Sequence, residues 1–152
     1  MSLFAALFAL LYVGHLLGDY IVQTDAMASL KTAGATYPPG HLAESLPVPL
    51  GRSWLQNQRH VASYSLTIAV TVLTAGALGG FLADLGAVPW WRRLVAAAAN
   101  WAVHSVIDRR WPVRRLMEAT GSRTFHGNGG AQHVDQTLHL LTLLLLAAFL
   151  GR

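Results

Sequence analysis

The chain has 152 residues, of which 53% are hydrophobic and only 12% charged, a balance outside the range of soluble globular domains. This length leaves room for one domain, and because cysteine is absent, disulfides and thiolate metal sites are excluded. The formal net charge of +4 comes mainly from arginines, and with so little soluble mass the basic residues are expected to meet anionic lipid headgroups rather than nucleic acid.

Four apolar runs predict an all-α, polytopic membrane protein folded as an up-down bundle of four transmembrane helices. The first run, about residues 2–23, lacks a basic start and a small-residue cleavage site, so we expect a mature helix rather than a signal peptide. The others cover about residues 60–84, 88–108 and 134–150. Together they make residues 1–152 a single membrane domain.

The connections between these runs predict the orientation. The long loop, residues 24–59, is rich in Pro and Gly over its middle, which leaves only its ends for short interfacial helices. This loop and the connection over 109–133 hold most of the basic residues, so the positive-inside rule places both in the cytoplasm and both termini outside. We therefore expect a multi-pass protein of the inner membrane.

Ionisable residues recur at the helix ends that this topology brings to the cytoplasmic face. Three helices each carry a His and an Asp four residues apart, a spacing that places both side chains on one helix face. The second helix opens with another His. The set is His15, Asp19, His60, His104, Asp108, Asp135 and His139. In an up-down bundle all of these residues fall in one polar layer.

A metal site explains this layer, because two side chains one turn apart converge on a point beside the helix. The four histidines and three aspartates exceed the needs of one tetrahedral ion, so we predict two divalent ions. Three carboxylates against two such ions leave a charge of +1 for a hydroxide or an anionic substrate. Mixed oxygen and imidazole ligands suit zinc first, with iron or manganese as alternatives.

We expect some polar residues of this layer to transfer protons, to hydrogen-bond to the metal ligands or to bind phosphate. An aspartate that the metals do not fully engage is able to carry a proton, and the candidate catalytic carboxylates are Asp19, Asp108 and Asp135. The candidate hydrogen-bond partners of the ligands are Gln23, Tyr64, Asn100 and Gln136. Arg109 and Arg110 either set the topology, which we favour, or bind a phosphate beside the metals.

A family resemblance is carried by motifs in a fixed order: HLLGDYIVQT, DAMASLK, the isolated His60, NWAVHSVID and VDQTLHLLTLL. In this order they resemble a family of small bacterial and phage membrane proteins known only as a domain of unknown function. The resemblance covers the chain except the proline-rich loop, and a looser similarity points to inner-membrane metal-dependent hydrolases. By motif position it implies a functional set of His15, Asp19, His60, His104, Asp108, Asp135, Gln136 and His139.

The leading hypothesis is an intramembrane metal-dependent hydrolase that acts on a lipid or lipid-linked ester or phosphate near the cytoplasmic face. The first alternative is a metal-binding or metal-transporting protein without bond chemistry, although the outer half of the bundle offers no polar path. A di-iron oxidase of acyl chains ranks lower because its glutamate bridges are missing from the helices. The polar layer alternatively serves only to lock the helices together. Membrane lipids are the expected partners, and a monomer is sufficient to hold the site.

Overall fold

The computed structural model describes residues 2–152, and within this range the regular structure is helical apart from one isolated bridge between Thr36 and Pro47. The predicted all-α class is therefore confirmed. Two π-helical turns, Gly18–Val22 and His126–Gly130, accompany the helices. The helices are α1 (Leu3–Leu17), α2 (Asp25–Leu30), α3 (Leu50–Gly79), α4 (Leu82–Ala87), α5 (Trp90–Ile107), α6 (Trp111–Ala119), α7 (Arg123–Phe125) and α8 (Ala131–Leu150).

Three helical segments are long and apolar enough to cross a membrane: Leu3–Val22, Leu50–Gly79 and Arg123–Leu150. They contain most of the first, second and fourth predicted spans. In an 18-residue apolar stretch of each segment, at most 33% of the residues are buried within the protein. The other residues keep some surface that is available to lipid. Among the described residues α5 is not one of these segments, and its crossing of a membrane stays a prediction.

Helix α3 begins at Leu50, before the predicted start near residue 60. An apolar run marks only the part of a helix that meets apolar surroundings. The ten residues before position 60 are more polar than the apolar run, but they include Leu, Gln and Arg, which are good helix formers, so the helix extends through them toward Pro49. Helix α2 matches the short helix predicted in the motif DAMASLK, with the Thr24 side chain accepting from the Met27 amide at 3.3 Å.

The described chain divides into two compact units. The first unit contains residues 2–23, Ala62–Val103 and Leu140–Arg152, and its apolar core includes Leu7, Tyr64 and Leu143. Arg92, at the start of α5, donates hydrogen bonds to the carbonyl oxygens of Phe149 and Arg152 at the end of the chain. Within this unit the start of α5 and the end of α8 therefore lie together.

Helices α1 and α3 approach closely in the first unit because glycines lie one turn apart at the end of α1 and the start of the π-helical turn that follows it. A Cβ added at Gly14 would lie 3.1 Å from the Ile68 Cα, and one at Gly18 would lie 2.7 Å from the Tyr64 Cδ2. Gly14 faces Ile68, whereas Gly18, four residues later, faces Tyr64, four residues earlier in α3. The two helices therefore run antiparallel. Small residues spaced in this way let membrane helices pack backbone against side chain.

The second unit contains Thr24–Val61 and His104–His139 and has two small apolar cores. Leu30, Tyr37 and Val48 form one of them. The other consists of Ile107, Val113 and Met117, with residues of early α8 packed against it. This second core fixes the end of α5 relative to the start of α8, where several predicted ligands lie.

We predict that Gly18→Ala destabilises the protein, because its methyl group requires the fully buried Tyr64 to move. The expected loss in the free energy of unfolding is about 1–3 kcal/mol, the usual range for an overpacked site. Titration with a denaturing detergent, followed by circular dichroism, measures it. The matched control is Gly51→Ala, a helical position with nothing within 4 Å of the added Cβ. Equal stability of the two variants would contradict the close packing.

Candidate metal centre

His15 and Asp19 lie together in the first unit, as their spacing predicts. Helix α1 passes into the π-helical turn at Gly18, which places Asp19 Oδ2 at 3.7 Å from His15 Nδ1. The same His15 nitrogen lies 3.2 Å from the hydroxyl of Tyr64, and all three side chains are buried. Tyr64 thus contacts a predicted ligand directly. In the same unit Gln23 ends the π-helical turn and Asn100 is buried in α5.

Three predicted ligands from distant parts of the chain converge in the second unit. His60 Nε2 and His104 Nε2 are 3.0 Å apart, and they lie 3.2 and 3.3 Å from Asp108 Oδ2. A tetrahedral zinc ion with ligands at about 2.0–2.1 Å holds its ligand atoms about 3.3 Å from one another. The three donor atoms therefore already have the separations of a tetrahedral face, and all three side chains are buried.

A second group, Asp108, Asp135 and His139, adjoins the first in the same unit. Its ligand atoms lie within 4.8 Å of one another. His139 Nδ1 is 3.7 Å from Asp135 Oδ2, and His139 Nε2 is 3.9 Å from Asp108 Oδ1. Gln136 is partly buried, with its Nε2 at 3.5 Å from Asp135 Oδ2. The His–Asp separations in this group, 3.7 and 3.9 Å, are longer than the 3.0–3.3 Å separations of the first group.

Asp108 belongs to both groups and presents a different oxygen to each. Its Oδ2 faces His60 and His104, whereas its Oδ1 is the oxygen closest to His139. The rings of His104 and His139 meet edge to face with centroids 4.3 Å apart, which keeps the two groups adjacent. A carboxylate in this position is able to bridge two metal ions.

The helix segments that carry these ligands are joined by a buried amide. Asn57, one turn before His60, donates from Nδ2 to the Ser105 carbonyl oxygen at 2.8 Å. Gln58 Nε2 lies 3.2 Å from Ser105 Oγ. Because Ser105 follows His104, these bonds set the register between α3 and the end of α5. The sequence analysis missed Asn57, since a single polar residue in the polar start of a helix carries no distinguishing pattern.

Lys31, which the sequence indicates only as one of the basic residues of the long loop, also lies at this site. It is the sole lysine of the chain, it is buried, and its Nζ lies 2.9 Å from Asp108 Oδ2. The contact joins residues 77 positions apart. In the sequence, only its place in the motif DAMASLK, near the start of the long loop, connects Lys31 with the motifs that carry the predicted ligands.

Arg109 holds the backbone of Lys31 in place. Its Nη1 donates to the Lys31 carbonyl oxygen and to Ser53 Oγ, each at 2.7 Å, and Ser53 Oγ in turn donates to the Thr32 carbonyl at 2.9 Å. The guanidinium carbon also lies 4.6 Å from the centre of the Trp54 ring. Arg110 is exposed and immediately precedes α6 in a left-handed conformation, with φ of 62°. The phosphate-binding role considered for both arginines stays a prediction.

Asp108 is ionised in this environment. It follows the last residue of α5, outside the three apolar segments. Burial by itself raises the pKa of a carboxyl group, but hydrogen bonds from His104 and His60, together with the positive charge of Lys31, hold the pKa of Asp108 well below its usual value. A lowered pKa favours the carboxylate form of Asp108, the form that pairs with cations.

The structure thus brings together five of the seven predicted ligands in the second unit: His60, His104, Asp108, Asp135 and His139. His15 and Asp19 are paired in the first unit. The prediction that all seven form one layer stays a prediction. The buried His and Asp groups have the donor types, burial and spacing of a candidate metal centre.

We predict that Arg109→Lys destabilises the protein by about 1–3 kcal/mol, the range for losing hydrogen bonds to a buried charged group. A lysine ammonium does not reproduce both the bonds from Nη1 and the planar contact with Trp54. The free energy of unfolding in detergent measures the change. The matched control, Arg110→Lys, alters the adjacent exposed arginine and should leave stability unchanged. Similar losses in both variants would argue against the Arg109 contacts.

Comparison of the chain with protein-family models, with curated proteins and with solved structures finds no match in any of the three. The resemblance to a family of small membrane proteins, and the looser one to metal-dependent hydrolases, therefore stay predictions. The case for a metal centre is carried by the geometry of the described side chains.

Proposed function

We propose that this protein is a membrane-embedded, metal-dependent hydrolase that cleaves an ester bond in a lipid or lipid-linked substrate. The observation that carries the proposal is the Asp108 carboxylate, which faces two histidines with one oxygen and a second His/Asp group with the other. Two adjacent groups of ligands that share a carboxylate are typical of two-metal hydrolytic sites.

The residues fit two divalent ions, with zinc as the first choice. His60, His104 and Asp108 would hold one ion, and Asp108, Asp135 and His139 the other. Such ions, when bound, polarise the ester and lower the pKa of a water molecule, which supplies a nucleophile at neutral pH. Nitrogen and oxygen donors of this kind also bind iron and manganese, so the identity of the metal is decided by measurement.

The protein's own residues supply the remaining chemistry. In ester hydrolysis the water oxygen bonds to the phosphorus or acyl carbon, the bond to the alcohol oxygen breaks, and that oxygen takes up a proton. Asp135 is more exposed than the buried Asp108, which suits it to move this proton. Asp108 would stay ionised while it serves as the shared ligand, because a carboxyl group binds metal in its deprotonated form.

The membrane setting supports a lipid substrate. The three apolar segments expose large side chains such as Ile21, Leu66 and Leu145, which are 74%, 65% and 61% exposed. Apolar surface of this extent is expected to lie against lipid. As part of the proposal, α5 forms the fourth span of an up-down bundle in the inner membrane. The metal centre then lies near the cytoplasmic face and both termini lie outside.

The metal content tests the site. Purified wild-type protein is expected to hold about two ions per chain. Asp108→Asn removes the shared ligand and should lower the content to near zero. His60→Ala and His139→Ala each remove a ligand from one group only and should leave about one ion. Elemental analysis of protein in detergent measures the stoichiometry, and circular dichroism checks that each variant is folded.

The control for this series is His133→Ala, which changes an exposed histidine of α8 outside both groups. It should retain the wild-type metal content. Unchanged metal content in Asp108→Asn would overturn the metal centre. Loss of all metal in every single-ligand variant would overturn the two-ion arrangement.

Hydrolysis is tested on mixed micelles of phosphatidate and of diacylglycerol, by following release of phosphate and of fatty acid. Metal-loaded wild-type protein is expected to release one of these products. Asp108→Asn should lower the rate by at least about 100-fold, because it removes a group on which the metal chemistry depends. Metal flux into proteoliposomes without hydrolysis would replace the proposal with transport. Bound iron with oxidation of the acyl chain would replace it with an oxidase.

A further inference from the structure

The charges inside the second unit are balanced before any metal binds. Among its described residues, the charged side chains that are not exposed are two basic and two acidic ones: Lys31, Arg109, Asp108 and Asp135. Their formal sum is zero when the histidines are neutral. Buried charges are tolerated when they are compensated in this way.

Each divalent ion therefore adds two positive charges that no carboxylate in the interior of this unit offsets. An uncompensated charge in a poorly solvated site is strongly unfavourable. A metal-loaded centre in this unit therefore requires added negative charge, from a hydroxide or from an anionic substrate. A phosphate group meets this requirement, whereas a neutral carboxylic ester brings no charge to the site.

The ammonium of Lys31 lies where a metal ion bound to Asp108 would displace it. This ammonium contacts Asp108 Oδ2, the same oxygen that lies 3.2 and 3.3 Å from His60 Nε2 and His104 Nε2. A cation bound by those three atoms would repel the ammonium. The Lys31 backbone is held through the bond from Arg109, but its flexible four-carbon side chain leaves the ammonium able to turn away.

We propose that Lys31 pairs with Asp108 in the metal-free protein and binds the phosphate of the substrate in the metal-loaded protein, so that the enzyme selects phosphate esters over neutral carboxylic esters. This inference rests on the proposed hydrolase function and names its substrate class. Lysine is a common point-charge ligand of phosphate, and here its displacement from Asp108 couples metal binding to anion binding.

Two binding measurements on Lys31→Met test the inference. Titration calorimetry with zinc on metal-stripped protein should show metal binding at least about tenfold tighter than in the wild type, because a competing cation is removed. Titration of the zinc-loaded protein with inorganic phosphate should show binding at least about tenfold weaker. A purely structural role for Lys31 would weaken both, so the opposite signs are diagnostic.

Two further variants complete the experiment. Lys31→Arg keeps the charge and should bind phosphate within a few-fold of the wild type. Arg123→Met removes an exposed positive charge from the same unit and should match the wild type in both titrations. Together these variants distinguish an effect of the position of Lys31 from an effect of the protein's net charge.

The outcomes distinguish the inference from the function on which it rests. If the wild type binds zinc but Lys31→Met retains its phosphate affinity, the role of Lys31 is wrong and the metal centre stands. Parallel weakening of both ligands would also overturn the role of Lys31. If the wild type binds no metal, the hydrolase proposal itself fails. Faster hydrolysis of diacylglycerol than of phosphatidate by zinc-loaded wild type would overturn the substrate class.

Discussion

The buried carboxylate of Asp108 is the constraint on which the second unit depends. A charged group that has left water must be compensated by opposite charge and hydrogen bonds, and here His60, His104 and Lys31 all lie within 3.3 Å of the same oxygen. These partners come from α3, the end of α5 and the residue after α2. The carboxylate therefore fixes where three separate parts of the chain must meet.

Hydrogen bonds and apolar packing hold the compensating groups in position. The amide of Asn57 joins α3 to the end of α5, and Arg109 holds the backbone from which Lys31 extends. The small core around Val113 and Met117 brings the start of α8 to the same place. None of these residues is a candidate metal ligand, yet each limits the freedom of a side chain at the site. A preorganised site of this kind loses little conformational entropy when a ligand binds.

The balance of charge gives the site its chemical character. Among the charged side chains of the second unit that are not exposed, the two basic ones, Lys31 and Arg109, balance the two acidic ones, Asp108 and Asp135, so this unit does not depend on an ion for electrical neutrality. Bound metal would create an excess of positive charge, which is the condition for attracting an anionic substrate. On this proposal, metal and substrate stabilise each other's binding, and the apolar helices hold the centre within reach of lipid.

The sequence alone determined the local features: the all-α class, three apolar segments, and the pairs His15/Asp19, His104/Asp108 and Asp135/His139 on single helix faces. Each follows from helical periodicity and hydrophobicity, which act over a few residues. Tertiary structure decided that His60 contacts His104 and that Asp108 faces two groups of ligands. It also decided that the Lys31 ammonium donates to Asp108 Oδ2. These contacts depend on the rotation and register of helices far apart in the chain, which are set by the contacts of Asn57 and Arg109 and leave no periodic trace in the sequence.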